Sequence, residues 1–249
     1  MSSPSLPMSA RFALWFSVWA RGVLSLDDTR DAIVGDDAAH DVTGVPGAPG
    51  SHPLIVALGL LRGRGATGAG VTLPVPGDPL GLAGPAAFNA EAVDAREGVV
   101  LEGADLGLVP HRAGAGVVWT CHPALTRRQV PDLAEADQAL RQALVSATAT
   151  LARMDVARWR PEAADELMAL RRDVVLPVPA TMVPRAVRLA ALAARCRMIV
   201  DLALEDEGGS ITGAEADARR AALLPLDAAA RRGLVAACSA SSVRPSRAG

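Results

Sequence analysis

The sequence predicts an α+β protein with a small, mainly antiparallel sheet of about four strands in its N-terminal half and an alanine-rich helical C-terminal half. Three observations carry this. Short apolar runs separated by turn residues crowd the stretch from 70 to 121, which is the spacing of a meander. From Pro131 onward, apolar residues recur at alternating intervals of four and three, the period of a helix. Half of the 249 residues are hydrophobic but only 3% are aromatic, so the core is built of Ala, Leu and Val, which favours close-packed helices over a thick β-sandwich.

Residues 1–9 are rich in Ser and Pro and read as a frayed tail. Residues 10–21 read as a helix. "FALWFSVWA" within it is too short to span a bilayer and continues as an ordinary folded sequence. "SLDDTRDAIV" follows as a second helix, with Ser25 as N-cap and Asp27 and Asp28 in its first turn. Residues 44–53, "GVPGAPGSHP", hold too many breakers for anything but a loop. In "LIVALGLLRGRG" the spacing of Leu54, Leu58 and Leu61 favours a helix. Strands are expected over 70–76, 98–103, 105–110 and 116–121, with a helix over "AAFNAEAVDARE". The strongest period in the chain joins Leu140, Leu144, Ala147, Leu151 and Met154. A further helix is expected from Pro161 to about Arg172, an extended linker at "LPVPATMVP", and another helix up to Gly208 and Gly209. Thr212 and Glu215 form a capping-box pattern for a last helical region, broken near Pro225. The expected division is 10–125 for the α+β region and 131–240 for the helices, either apart or packed on the sheet as one domain. Residues 241–249 form a second disordered tail.

Composition excludes several chemistries. The chain contains no Lys and no Tyr. Without Lys there is no Schiff base, no P-loop lysine and no Ser–Lys dyad, and Arg cannot replace it as a base. A net charge of -2 provides no basic field for nucleic acid, and the Arg pairs beginning at 127, 171, 219 and 231 are dispersed. Cys121, Cys196 and Cys238 are odd in number and far apart, with no CxxC. They read as buried thiols in a reducing, cytoplasmic compartment, and no metal centre or cofactor is expected.

Four stretches hold the candidate side chains. "GRGATG" (63–68) matches a dinucleotide fingerprint in letters, but a helix precedes it and a strand follows, the reverse of what that site requires. In "GDDAAHD" (35–41), read as helical, Asp36 and Asp37 lie four and three residues before His40, so one or both share its face and could orient the imidazole or hold part of a divalent metal site, though no second ligand cluster completes one. In "WTCHP", Cys121 and His122 are strand neighbours on opposite faces and cannot form a dyad, while His111 would sit near the hairpin turn. "PVPGDPLGLAGP" (74–85) packs four prolines and three glycines around one charge, Asp78. Its prolines lower the entropy lost on ordering, Gly77 leaves the backbone open, and Leu80 and Leu82 are suited to plug the core. Asn89, the only Asn in the chain, follows closely. If this loop holds a ligand, Asp78 and Asn89 should face one concavity.

The stretch from Leu73 to Asn89, "LPVPGDPLGLAGPAAFN", resembles a segment of uncharacterised actinobacterial proteins, a background that the Arg- and Ala-rich, Lys-free composition fits. The resemblance implies no activity and no catalytic residues. With no complete catalytic set and with long apolar helix stripes, the expected role is a cytoplasmic protein acting by protein–protein contact, through a partner or by self-association. The alternative is a small-molecule-binding protein or lysine-independent enzyme with a pocket around 76–89. Neither nucleic acid nor membrane is expected as a partner.

Overall fold

The structure is a computed structural model and describes residues 5–126, 129–153, 176–205 and 213–239. Its elements are α1 (Met8–Ala20), α2 (Leu26–Val34), β1 (His40–Thr43), β2 (Ser51–Pro53), α3 (Leu54–Gly63), β3 (Gly68–Thr72), α4 (Ala86–Ala95), β4 (Gly98–Glu102), β5 (Leu106–Ala113), β6 (Gly116–Pro123), α5 (Leu133–Arg153), α6 (Pro184–Glu205) and α7 (Gly213–Ala237). The helix expected from Pro161 lies outside the described residues, as do Thr212 and the tail after 240.

The strands form one sheet of six, in the order β2-β1-β6-β5-β4-β3. Every pair is antiparallel except β1 with β6, which is parallel. The fold class stands as α+β, but the sheet is mixed and has six strands instead of four. The two extra strands have four and three residues. Such lengths hold too few alternations to read, and β2 lies inside the stretch expected to be loop. β1 begins at His40, in the cluster expected to be helical. The α2 helix ends earlier, because Gly35 at φ 57 turns the chain out while its N–H caps Asp31 O.

The register places Ala69, Val71, Val99, Leu101, Leu108, Trp119 and Cys121 on one face. Helix α1 packs there, with the Phe12 ring 5.1 Å from Trp119 and stacked on Phe16 at 5.5 Å. Ala69 N–H donates to Ser17 Oγ at 3.0 Å, and that hydroxyl donates to Ala69 O at 3.3 Å, so α1 covers the outer edge of β3. The opposite face is covered by α4, where Phe88 and Ala92 pack on Val100, Val109 and Ala124.

Among the described residues after 131, only helices occur. Helix α7 lies between α5 and α6. Gly233 permits the close approach, because a Cβ there would stand 3.3 Å from both Ala193 and Leu189 and 3.6 Å from Leu140. The helix expected to break at Pro225 runs through it. Leu223 and Leu226, both buried, flank the proline, and this packing offsets the missing hydrogen bond. One continuous apolar cluster runs from Leu6 to Cys238 through both halves.

Candidate functional site

The proline-rich loop leaves β3 through a tight turn. Val75 N–H donates to Asp78 O at 3.0 Å and Asp78 N–H donates back to Val75 O at 2.9 Å. Pro76 at the first central position and Gly77 at φ 83 in the second are the type II pattern. The turn aims Asp78 at two consecutive arginines of α7. Arg231 Nη2 donates to Asp78 Oδ2 at 3.0 Å, and Arg232 Nη2 donates to Oδ1 at 3.2 Å. Arg231 is buried, and its remaining groups bond Leu73 O at 2.9 Å and Asp227 Oδ2 at 2.8 Å. Further along the loop, Leu80 is buried in the main core and Leu82 is half-buried on the Phe88 cluster. The loop is therefore a packed joint between the halves of the chain.

Asn89 serves the same loop from its far end, where its Oδ1 accepts from Gly84 N–H at 3.0 Å. It does not face Asp78. An open cleft of about 760 Å³ lies along the loop, between residues 78–82 and residues 129–135, with Arg232 at its side. Asp78 lines it; Asn89, Asp37 and His40 do not.

Asp37 and His40 do meet, across a turn instead of along a helix. His40 Nε2 lies 2.9 Å from Asp37 Oδ2, and Trp119 Nε1 donates to His40 Nδ1 at 3.2 Å. Indole nitrogen only donates, so Nδ1 is the acceptor and Nε2 carries the proton. Arg11 donates to Asp37 Oδ2 at 2.6 Å, and Arg112 pairs with Oδ1. Burial alone would raise the Asp37 carboxyl, but the bonds from His40, Arg112 and Arg11 outweigh it and hold the group at about 2. Burial lowers His40, and the Asp37 carboxylate only partly opposes this. The imidazole thus sits neutral, with both nitrogens committed, tying α1, β1, β5 and β6 together. Asp36 is exposed and stands outside this network.

On the other face, Glu91 of α4 bridges two histidines of the hairpin. His111 Nε2 lies 2.7 Å from its Oε1 and His122 Nε2 lies 2.8 Å from its Oε2, the second an ion-pair contact without hydrogen-bond alignment. Burial would raise Glu91, but the His111 bond, the His122 charge and a Thr120 bond together lower it. Cys121 points to the opposite face, buried, and burial pushes its thiol up to about 11. Cys196 is likewise raised to about 11 and Cys238 to about 12. No group of three or more His, Cys, Asp or Glu able to hold a metal ion occurs among the described residues.

The fold and these contacts define a protein of two linked parts, an α+β layer and a helical bundle, pinned by a carboxylate–guanidinium clamp with a cleft beside it. The chain belongs to the Rv1486c-like family: its N-terminal domain matches over residues 9–135 and its C-terminal domain over residues 134–235. The first span includes the segment from Leu73 to Asn89. The family is thus described as two domains, N-terminal and C-terminal. No curated protein and no solved structure matches the chain. No described helix is long and apolar enough to cross a membrane.

Sequence reasoning missed Arg231, Asp227 and the bridging role of Glu91. The Arg pair at 231 was visible, but nothing local to it indicates a partner 153 residues away.

Proposed function

We propose that the chain acts in the cytoplasm as a regulatory or assembly factor, binding a protein partner at the cleft between the loop and the start of α5, with no catalysis of its own. The carrying observation is apolar surface in water at that place. Val130, in the cleft wall, is 38% exposed, and Leu125, hydrogen-bonded through its backbone to Gly84 in the same loop, is 54% exposed. An exposed apolar side chain in the wall of a concave joint favours contact with another chain. The absence of catalysis draws support from the way the reactive groups are used: His40 has both nitrogens bonded, and the thiols are buried and raised well above neutrality. The buried free cysteines also favour a reducing compartment. A small-molecule pocket over 76–89 would share the wall from Asp78 to Leu82, but Asn89 does not line the cleft and is engaged with Gly84.

Site-specific photo-crosslinking in cells tests this. A benzophenone side chain at position 130 should yield discrete protein adducts. The same group at position 145, an exposed valine on α5 away from the cleft, should not. No adduct at 130, or the same pattern at both positions, overturns the reading.

A further inference from the structure

We infer that α3 carries a self-association face, on which a second copy of this chain packs its own α3 across a two-fold axis. The ridge of Val56 and Leu60 on one helix fills the hollow at Gly59 and Gly63 on the other, reciprocally. This does not rest on the reading of the cleft, since none of the four residues lines it.

The first argument is the composition of a surface helix. From Leu54 to Leu61, α3 holds no polar side chain. One face packs on the core through Leu54, Ala57, Leu58 and Leu61. The other lies in water, with Val56 47% exposed, Gly59 and Gly63 exposed and Ile55 and Leu60 half-buried. A surface helix ordinarily carries charge on its outer face, and one that is apolar all round is ordinarily covered on every side.

The second argument is shape. Gly59 stands in the helix interior, where Ala is the better helix former. Nothing within the chain requires glycine there: a Cβ at Gly59 or at Gly63 would meet no atom within 4 Å, and neither residue has a positive φ. Gly59 and Gly63 share one i, i+4 row of the helix and Val56 and Leu60 share another, so a groove and a ridge run side by side. A two-fold axis sets the ridge of each helix in the groove of the other, which is the self-complementarity a symmetric dimer needs. Glycines at that spacing let two helix backbones come close.

Charge selects the occupant. The centre of the face is uncharged, so a copy meets no like charge there. Its rim carries both signs: Arg62 and Arg64 are exposed at the C-terminal end of α3, and Asp27, Asp28 and Asp31 are exposed on α2, which packs against α3. Such a rim complements itself across a two-fold axis. An anionic lipid surface would be repelled by the three aspartates. With 10 residues, α3 is about 15 Å long, so it supports a contact of the smaller class and a dimer that forms at micromolar to millimolar concentration.

Sedimentation equilibrium of the full chain, from about 1 μM to about 1 mM, tests this. The chain should pass from monomer to dimer over that range. Val56→Asp should weaken the dimer about tenfold or more. Gly59→Leu should do the same although it adds apolar surface, because it fills the groove. A Cβ at that position meets nothing within the chain, so the helical circular dichroism of the variant should be kept. Val145→Asp, on the exposed side of α5, should leave the dimer unchanged. A monomer throughout, a dimer that Val56→Asp leaves unchanged, one that Gly59→Leu tightens or leaves unchanged, or one that Val145→Asp dissociates overturns the inference. Flotation of the chain with phosphatidylserine vesicles that Val56→Asp abolishes also overturns it, in favour of a lipid surface.

Discussion

Asp78 meets two neighbouring arginines whose surroundings differ. Arg231 is buried and keeps Asp227 and Leu73 O if Asp78 is lost, while Arg232 is half in water. Asp78→Ala should therefore lower stability by about 1–3 kcal/mol, because a buried guanidinium loses one of its partners. Arg232→Ala should stay within about 0.5 kcal/mol. Urea midpoints of the two variants check this, and an unchanged midpoint for Asp78→Ala would show that the clamp adds nothing to stability. The Asp37–His40 network makes a pH prediction. His40 is lowered from its ordinary value of 6.5, so the unfolded chain binds its proton first, and stability falls as pH drops below about 6.5. Asp37 is lowered from 3.8 to about 2, so its contribution is present above about pH 4 and is lost between there and about 2. That contribution is about 2 kcal/mol. Denaturation midpoints taken from pH 7 to 2 should show both declines. Asp37→Asn should be less stable at neutral pH and should lose the lower decline.

The elements show a similar division between local pattern and outside contact. Gly107 in β5 lies under Phe88 of α4, and a Cβ there would stand 2.5 Å from Phe88 Cε2 and 2.9 Å from Ala124 Cβ. Gly107→Ala should cost about 1–3 kcal/mol by overpacking. Amide exchange in α4 should speed up, since that helix must lift to make room. Unchanged exchange across Ala86–Ala95 would mean that α4 is not seated by Phe88. The Ser25 cap was legible because a cap acts within three residues, and Ser25 Oγ does accept from Asp28 N–H at 3.1 Å. The opposite facing of Cys121 and His122 was legible because strand geometry alternates at every residue. Strands β1 and β2 were not, because a four-residue and a three-residue strand owe their existence to pairing with β6 and with each other. The continuity of α7 through Pro225 was also hidden, because its neighbours supply the stabilisation that the proline removes.

At the scale of the molecule, the apolar cluster passes without interruption from the sheet into the bundle. Leu140→Ala in α5 should cost about 2–5 kcal/mol as a buried large-to-small change. Its effect should appear equally in helical circular dichroism and, in a Trp159→Phe background that removes the fourth tryptophan, in the fluorescence of Trp15, Trp19 and Trp119, which lie on the sheet side. Separate transitions by the two probes would show that the halves unfold independently. The three cysteines report on the same point. All are buried and their thiols are raised to between about 11 and 12, so a disulfide reagent at neutral pH should label them only as fast as the chain opens.

By itself, the sequence determined the α+β class, the meander, the helical period of the second half and the exclusion of lysine chemistry. These depend on residue type and short spacing, and a period of two or of about 3.6 acts over a few neighbours. It also marked the loop from 76 to 85 as ordered, since prolines restrict the chain wherever they stand. Only the tertiary structure decided what that stretch holds. Asp78 meets Arg231 across 153 residues, His40 meets Trp119 across 79, and Glu91 meets a pair of histidines on a hairpin. An ion pair or a buried hydrogen bond leaves no local signature, because its partner is chosen by the packing that brings two distant segments together.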